Sequence, residues 1–471
     1  MQKRSMARPG SALSGSVLTV VMAVFLGAQS AHSAQTAYSH SASPGFARAR
    51  ALARAFNEDQ LHEEARQLLL QGFSESLLLD LSSRAITPAL KAAYLDELEK
   101  LQDENQVLPG FDSLDLQLGL AQLSLAERIR ALQILKGADN VKTRAYEKQT
   151  LELAGQLISS RSVTQGEVDQ LLIVAPRLLQ ESSLRNDWSE LYRLLEVSYP
   201  LWVQRFHATV DAPFVPPTAA QIHDLYFNQT STLLYRDGLY DQKPKLFLFC
   251  RHSRQYPCLL VMKDKHGQPV FGPFDEIPRF PGKLWSQPRL ALSKYGKHFD
   301  ETNGYTPSGI YQIDGVMPEA NDPYDFGKFR RVVLNFIEPS PETGPLQNEL
   351  NFQLLLPPSN WSLNGWRESI IARELGRNSF RLHGTGQKNS NRESTYYPFI
   401  PTSGCIAARE NAYPEETYLD QRHLLDQLML ASELEPVWSN ETEITALLYV
   451  IEINDFQSPV SLTDLLAYGI H

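Results

Sequence analysis

The sequence predicts an α+β fold in which an N-terminal all-α helical domain precedes a mainly β domain. With 471 residues, the chain is too long for one ordinary hydrophobic core. Apolar residues recur at helical spacing between residues 44 and 206. Short runs rich in β-branched and aromatic residues prevail over residues 245–453. Prolines interrupt the chain between these regions, so residues 207–244 are predicted as a linker and residues 454–471 as a C-terminal tail.

The helical region contains two patterns that mark helix starts. Ser124 with Glu127, and Thr164 with Glu167, have the capping-box spacing and precede apolar periodic stretches. The leucine stripes that follow are expected to form a core. Nothing in this region favours one role, and a protein partner is one possibility.

The β region begins with two apolar runs, residues 246–250 and 258–262, which predict neighbouring strands. Further strand candidates and two helical segments follow along the chain: 330–337, 352–356, 380–382 and 445–453 as strands, 366–375 and 418–430 as helices. The prediction is a mainly β domain with insertions.

Residues 1–33 resemble a secretory signal. Lys3, Arg4 and Arg8 precede an apolar run, and Ala31 and Ser33 fit a cleavage site. The run is too short to favour the alternative, an uncleaved anchor. No later stretch is predicted to span a membrane, so we expect a periplasmic or secreted protein.

The formal net charge of −10 argues against nucleic acid as a partner, because phosphate binding requires clustered lysine and arginine.

Three cysteines are present, Cys250, Cys258 and Cys405. Cys250 and Cys258 flank a predicted hairpin and pair if the strands bring them close enough. Alternatively, all three are reduced and buried, or Cys250, His252 and Cys258 bind a metal, although a fourth ligand is missing. We expect no metal and no cofactor. If the first two pair, Cys405 keeps its thiol.

Cys405 and His383 are the candidate catalytic pair. A predicted strand delivers His383, and after a loop Gly404 precedes Cys405 in a turn. A histidine that takes the thiol proton makes cysteine a nucleophile. Gly404 permits a tight turn that aims backbone amides at an oxyanion.

The motifs around this pair resemble the catalytic signature of the L,D-transpeptidase (YkuD-like) family. His383-Gly384-Thr385 matches its first half, and Thr402-Ser403-Gly404-Cys405-Ile406 its second. A further match lies upstream, in the Thr-Pro-x-Gly-x-aromatic element of residues 306–311. The resemblance covers roughly residues 245–453, which it identifies as an L,D-transpeptidase-like catalytic domain.

The resemblance implies a role for each of these residues. Cys405 attacks a stem peptide of peptidoglycan, and His383 takes the thiol proton and returns it to the leaving amine. The backbone carbonyl of Gly384 orients His383, and the amides of Gly404 and Cys405 stabilise the oxyanion.

The position where this family commonly has arginine, two residues after the cysteine, is Ala407 here. Arg409 is a substitute, or else a solvated charge. The other residues expected to bind substrate are Ser403, Thr402, Thr385 and Tyr397. The function implied is a peptidoglycan L,D-transpeptidase. The alternatives are an L,D-carboxypeptidase or amidase with the same acyl-enzyme, and a non-catalytic wall-binding scaffold.

Overall fold

The computed structural model describes residues 141–182, 184–210, 213–227, 242–272, 283–318, 320–337, 353–375 and 377–471, with a few isolated residues between 60 and 132. All of them lie in a compact unit that spans Arg48–His471. The predicted leader, residues 1–33, and most of residues 44–140 lie outside the described residues.

Four consecutive helices open the continuously described chain: α1 (Val141–Ser159), α2 (Gln165–Glu181), α3 (Arg185–Ser198) and α4 (Pro200–Val210). The predicted capping box at the start of α2 is confirmed. The Thr164 amide donates to the Glu167 carboxylate at 2.9 Å, and the Glu167 amide donates to the Thr164 hydroxyl at 3.3 Å. Together these contacts satisfy backbone donors that the first turn of a helix leaves unpaired.

The core of α1–α4, the helical core, is not confined to these helices. It includes Phe299, Tyr305 and Ile371 from the region that follows. Polar contacts also cross between the regions, since Gln170 of α2 donates to the carbonyl of Leu375 at 3.3 Å. A separate N-terminal all-helical domain is therefore not supported. The chain is a mixed α and β protein in which the described helices pack on the β region.

The strands that the structure describes form one eight-stranded sheet in the order β3-β2-β1-β8-β4-β5-β6-β7. Their bounds are β1 Lys245–Arg251, β2 Cys258–Lys263, β3 Ser286–Arg289, β4 Gly309–Val316, β5 Val332–Phe336, β6 Phe380–His383, β7 Ile406–Ala407 and β8 Ala446–Asn454. The pairs β1–β8 and β6–β7 are parallel, and the other neighbours are antiparallel. Leu290 and Ala407 exchange backbone hydrogen bonds of 3.1 and 2.7 Å, so the two edges meet and the sheet is nearly closed.

Helices cover both faces of this sheet. After α4, the α-helices whose bounds the structure describes are α5 (Ala219–Phe227), α6 (Pro323–Phe326), α7 (Glu368–Glu374), α8 (Asp420–Ala431) and α9 (Leu462–Leu466). The main core lies where α8 meets one face, and a second core holds α5 and α9 against the other. Strands β1 and β2 are buried along their whole length, as expected for strands covered on both faces. Parts of the segments predicted as linker and tail thus belong to the core.

Cys250 and Cys258 form a disulfide with their Cα atoms 4.3 Å apart. This resolves the open alternatives for the pair. His252 between them hydrogen-bonds to Glu452 at 2.8 Å and stacks on Phe214. Among the described residues, no cluster is suited to hold a metal ion. In the same part of the chain, the helices are all too short or too polar to cross a bilayer.

Candidate active site

His383 is the last residue of β6, and Cys405 lies in the turn directly before β7, the parallel neighbour of β6. In the parallel pair β6–β7, Leu382 is opposite Ile406, and both face the main core. Successive side chains of a strand alternate between faces. His383 directly follows Leu382 within β6 and so projects to the opposite face, whereas Cys405 lies in the turn directly before β7.

The imidazole of His383 is held by its neighbour. Its Nδ1 lies 2.5 Å from the carbonyl oxygen of Gly384. Because a carbonyl only accepts, Nδ1 carries the hydrogen and Nε2 is the basic nitrogen. The edge of the Phe326 ring on α6 also meets the imidazole, at a centroid distance of 5.3 Å. His383 is therefore oriented with Nε2 as its proton acceptor.

The surroundings of His383 keep it neutral. Only 3 % of its surface is exposed, and this burial lowers its pKa to about 4, against the opposing effect of the Gly384 hydrogen bond. Nearby cations lower it further: Arg331, Arg381 and Arg289. A histidine in this environment is a neutral base at pH 7, and once protonated it is a stronger acid than an ordinary imidazolium.

The turn that carries Cys405 is fixed by two threonine hydroxyls. Thr306 donates to the carbonyl of Gly404 at 2.8 Å, and Thr402 donates to the carbonyl of Cys405 at 2.6 Å. The N–H and C=O of a trans peptide point in opposite directions. By holding the Gly404 carbonyl, Thr306 therefore also sets the direction of the Cys405 N–H.

Gly404 has a φ of +109°, a backbone region that side chains rarely adopt. A Cβ at this position would lie 2.7 Å from Nη2 of Arg377 and 2.9 Å from the carbonyl oxygen of Gly304. Glycine is therefore required both by the turn and by the close approach of these groups. The half-buried Cys405 stays outside the disulfide, and its Sγ lies 3.7 Å from the carbonyl oxygen of Ser379.

Gly384 is required for a different reason, because the carboxylate of Glu410 occupies the space that a side chain at this position would need. A Cβ on Gly384 would lie 1.8 Å from Oε2 of Glu410, and one on Gly327 would lie 2.4 Å from the same oxygen. The backbone amide of Lys328 donates to Oε1. Burial raises the pKa of Glu410 to about 7, against the amides of Lys328 and Phe329. Glu410 thus packs against the peptide whose carbonyl orients His383.

A buried polar network contacts the turn that contains Thr306 and Ser308. Arg254, fully buried, donates to Ser308 Oγ at 2.8 Å and pairs with Glu452 at 2.9 Å. The amide of Ser308 donates to Glu368 at 2.8 Å. The Cys250–Cys258 disulfide closes the hairpin that carries Arg254. Contacts therefore run without a break from this disulfide through the Thr306 turn to the Cys405 turn.

Two of the predicted substrate-binding residues use their hydroxyls inside the protein. The Thr402 hydroxyl donates to the Cys405 backbone, as described. The Thr385 hydroxyl donates to the carbonyl of Tyr324 at 3.0 Å and accepts from the amide of Gln387. Both hydroxyls therefore support the loops around Cys405.

The other predicted residues lie in different surroundings. Arg409 pairs with Asp420 at 2.7 Å and lies over the Tyr418 ring, so its charge is largely committed. Tyr397 packs edge-on against Tyr413 in the loop before Cys405. Ser403 is half-buried in the turn itself.

Sequence reasoning missed Arg377, Glu410 and Arg254, and the bracing role of Thr306. Thr306 belongs to the upstream motif, which gave a signal for its position. The other three act across long sequence distances, and no local pattern marks them. No family model, curated protein or solved structure matches the chain.

Proposed function

We propose that this protein is a cysteine acyltransferase of the L,D-transpeptidase type that acts on the stem peptides of peptidoglycan. The observation that carries the proposal is an oriented, neutral His383 at the end of β6 together with the thiol of Cys405, which stays outside the disulfide in the turn that leads into the neighbouring strand β7. The resemblance of both motifs to that family supplies the substrate class.

In the acylation step, Sγ of Cys405 attacks the carbonyl carbon of the stem peptide bond. The C–S bond forms, and Nε2 of His383 accepts the thiol proton. The N–H of Cys405, aimed by Thr306, stabilises the oxyanion. The C–N bond then breaks, and the imidazolium returns its proton to the leaving amine. The low pKa of His383 makes that imidazolium a stronger acid than an ordinary imidazolium, which favours this transfer.

In the second step an amine of a neighbouring stem attacks the thioester. A new C–N bond forms, the C–S bond breaks, and the amine's proton returns to the thiolate. If water attacks instead, the product is a shortened stem and the enzyme is a carboxypeptidase or amidase. The two activities share the acyl-enzyme and need neither a metal nor an organic cofactor.

A periplasmic or secreted location fits this substrate. The Cys250–Cys258 disulfide supports the proposal, because disulfides persist in oxidising compartments. The expected leader in residues 1–33 is consistent with the same location.

The test uses the purified mature chain and its Cys405→Ala variant, each incubated with disaccharide-tetrapeptide. Products are measured by mass spectrometry. A dimer that has lost one terminal residue, absent with the variant, would establish transpeptidation. A disaccharide-tripeptide without dimer would assign hydrolysis. Unchanged substrate with both proteins would contradict the proposal and favour the wall-binding scaffold.

A further inference from the structure

Arg377 is a rigidly held cation beside the nucleophile's turn. It lies between α7 and β6, and its guanidinium donates to three backbone carbonyls. Nη1 donates to Phe299 and, at 3.1 Å, to Tyr305; Nη2 donates to Gly304 at 2.7 Å. A planar guanidinium held at three points has little freedom to swing away. Its charge therefore has a fixed position.

That position is next to Cys405. The Nη2 atom would be only 2.7 Å from a Cβ on Gly404, the residue before the nucleophile. A negative charge on Cys405 interacts favourably with the guanidinium. Burial lowers the pKa of Arg377 to about 10, so it is still a cation at neutral pH. A charge at this range and depth is screened much less than one at the surface.

His383, the usual source of positive charge in a cysteine–histidine pair, is poorly suited to that role here. Its pKa is lowered to about 4, and three arginines surround it, so an imidazolium is unstable before substrate binds. The thiolate therefore needs another cation.

We propose that Arg377, rather than a protonated His383, is the cation that stabilises the thiolate of Cys405. The inference rests on the proposed function only in taking Cys405 as the nucleophile. His383 then serves as the neutral base and proton carrier of acyl transfer. Arg377 takes no proton and touches no substrate; it acts through the charge of the sulfur.

Other groups also face these residues. Asp300 opposes the effect, because its carboxylate attracts the same guanidinium. The phenols of Tyr305 and Tyr311 stay neutral, since burial raises their pKa values well above 10. The arginines that lower the pKa of His383 are further positive charges in this region: Arg331, Arg381 and Arg289. Removing Arg377 is therefore expected to weaken thiolate stabilisation without abolishing it.

The experiment measures the pH dependence of Cys405 alkylation by iodoacetamide. Because the other two cysteines are paired, Cys405 is the one thiol of the chain, and each alkylation reports its thiolate. The proteins compared are the wild type, Arg377→Met, Arg377→Lys and His383→Gln. Circular dichroism checks that each variant is folded.

The wild-type midpoint is expected below about 8.5, the ordinary value for a thiol. Arg377→Met should raise it by about one unit, which slows alkylation about tenfold at pH 6.5. Arg377→Lys, which keeps the charge, should restore much of the loss. His383→Gln should leave the midpoint where it is.

A midpoint unchanged in Arg377→Met, or raised in His383→Gln, would overturn the proposal and restore the imidazolium as counter-ion. If Arg377→Met does not fold, His383→Gln decides the question, because a raised midpoint in that variant would show that the imidazolium is the counter-ion. No cell-wall substrate is used, so a failure of the proposed function and a failure of this inference are separate results.

Discussion

The Thr306 hydroxyl offers the sharpest test of the proposed oxyanion stabilisation at this site. Thr306 is fully buried and donates to the carbonyl of Gly404 at 2.8 Å. In Thr306→Val the shape is kept and the donor is lost. The Gly404–Cys405 peptide is then free to rotate, and the Cys405 N–H is no longer held in one direction. Thr306→Ser, which retains the hydroxyl, is the matched control.

The expected size follows from the contact that is lost. A buried carbonyl left without its donor costs about 1–3 kcal/mol of stability. A displaced oxyanion donor costs catalysis about 10²-fold, and somewhat less if the amide shifts only partly. We expect acylation of Cys405 by a carbapenem to slow about 10- to 100-fold in Thr306→Val.

Alkylation separates this effect from general damage. Iodoacetamide reacts by displacement at carbon and forms no oxyanion, so its rate with Cys405 should change less than threefold. Stopped-flow fluorescence or quenched-flow mass spectrometry measures both rates. Equal losses in alkylation and acylation would refute the reasoning, because the hydroxyl would then act on the sulfur itself. No loss in either would remove Thr306 from the account.

Four further predictions concern the surroundings of the pair. Because burial lowers the pKa of His383 to about 4 from an ordinary 6.5, the acid limb of carbapenem acylation should lie near pH 4, and a limb near 6.5 would contradict this. The same shift should make the folded protein more stable above about pH 6.5, and this stability should be lost as the pH falls through 4. In urea titrations the loss should reach about 3 kcal/mol and should be absent from His383→Gln. Gly384→Ala should reduce acylation at least about 10²-fold because its Cβ meets Glu410, and Glu410→Ala in the same chain should recover part of the loss; no recovery would exclude that collision as the cause. Arg254→Gln should cost about 3–5 kcal/mol in urea unfolding because it leaves Glu452 buried without its cation, and a cost below about 1 kcal/mol would show that the network does not support the turn.

The strand and helix patterns of the β region were largely readable from the sequence. Apolar runs of β-branched and aromatic residues predicted β1, β2, β6 and β8, because strands buried in a sheet need continuous apolar side chains. The segment 352–356, by contrast, was predicted as a strand, whereas its described residues are a helical residue, Gln353, and a turn before the short helix at Pro358–Asn360. Such a short apolar run does not distinguish a strand from a buried turn.

Tertiary relations were less accessible. The capping box at Thr164 predicted where α2 begins, but nothing local indicated that its helix would share a core with Phe299 and Tyr305. Likewise, α9 lies in the segment predicted as a C-terminal tail, and its buried Leu465 packs on the second core. Sequence periodicity reports which face of a helix is apolar, and it does not report what that face meets.

In the candidate site, too, some residues could be identified from the sequence and others could not. Cys405, His383 and both glycines were identifiable because their chemistry and spacing are local. Arg377 was not, since it approaches the turn through space and its backbone partners carry no sequence signal. Arg409, offered either as a substitute for the missing arginine or as a solvated charge, is paired with Asp420.

The most direct test of the central claim is the mass of the acyl-enzyme. Wild type and Cys405→Ala are mixed with disaccharide-tetrapeptide, quenched in acid within a second, digested and mapped by mass spectrometry. The account predicts a disaccharide-tripeptide adduct on the peptide that contains Cys405, lost on treatment with hydroxylamine and absent from the variant. Product formation without such an adduct, or an adduct on another residue, would contradict nucleophilic catalysis by Cys405.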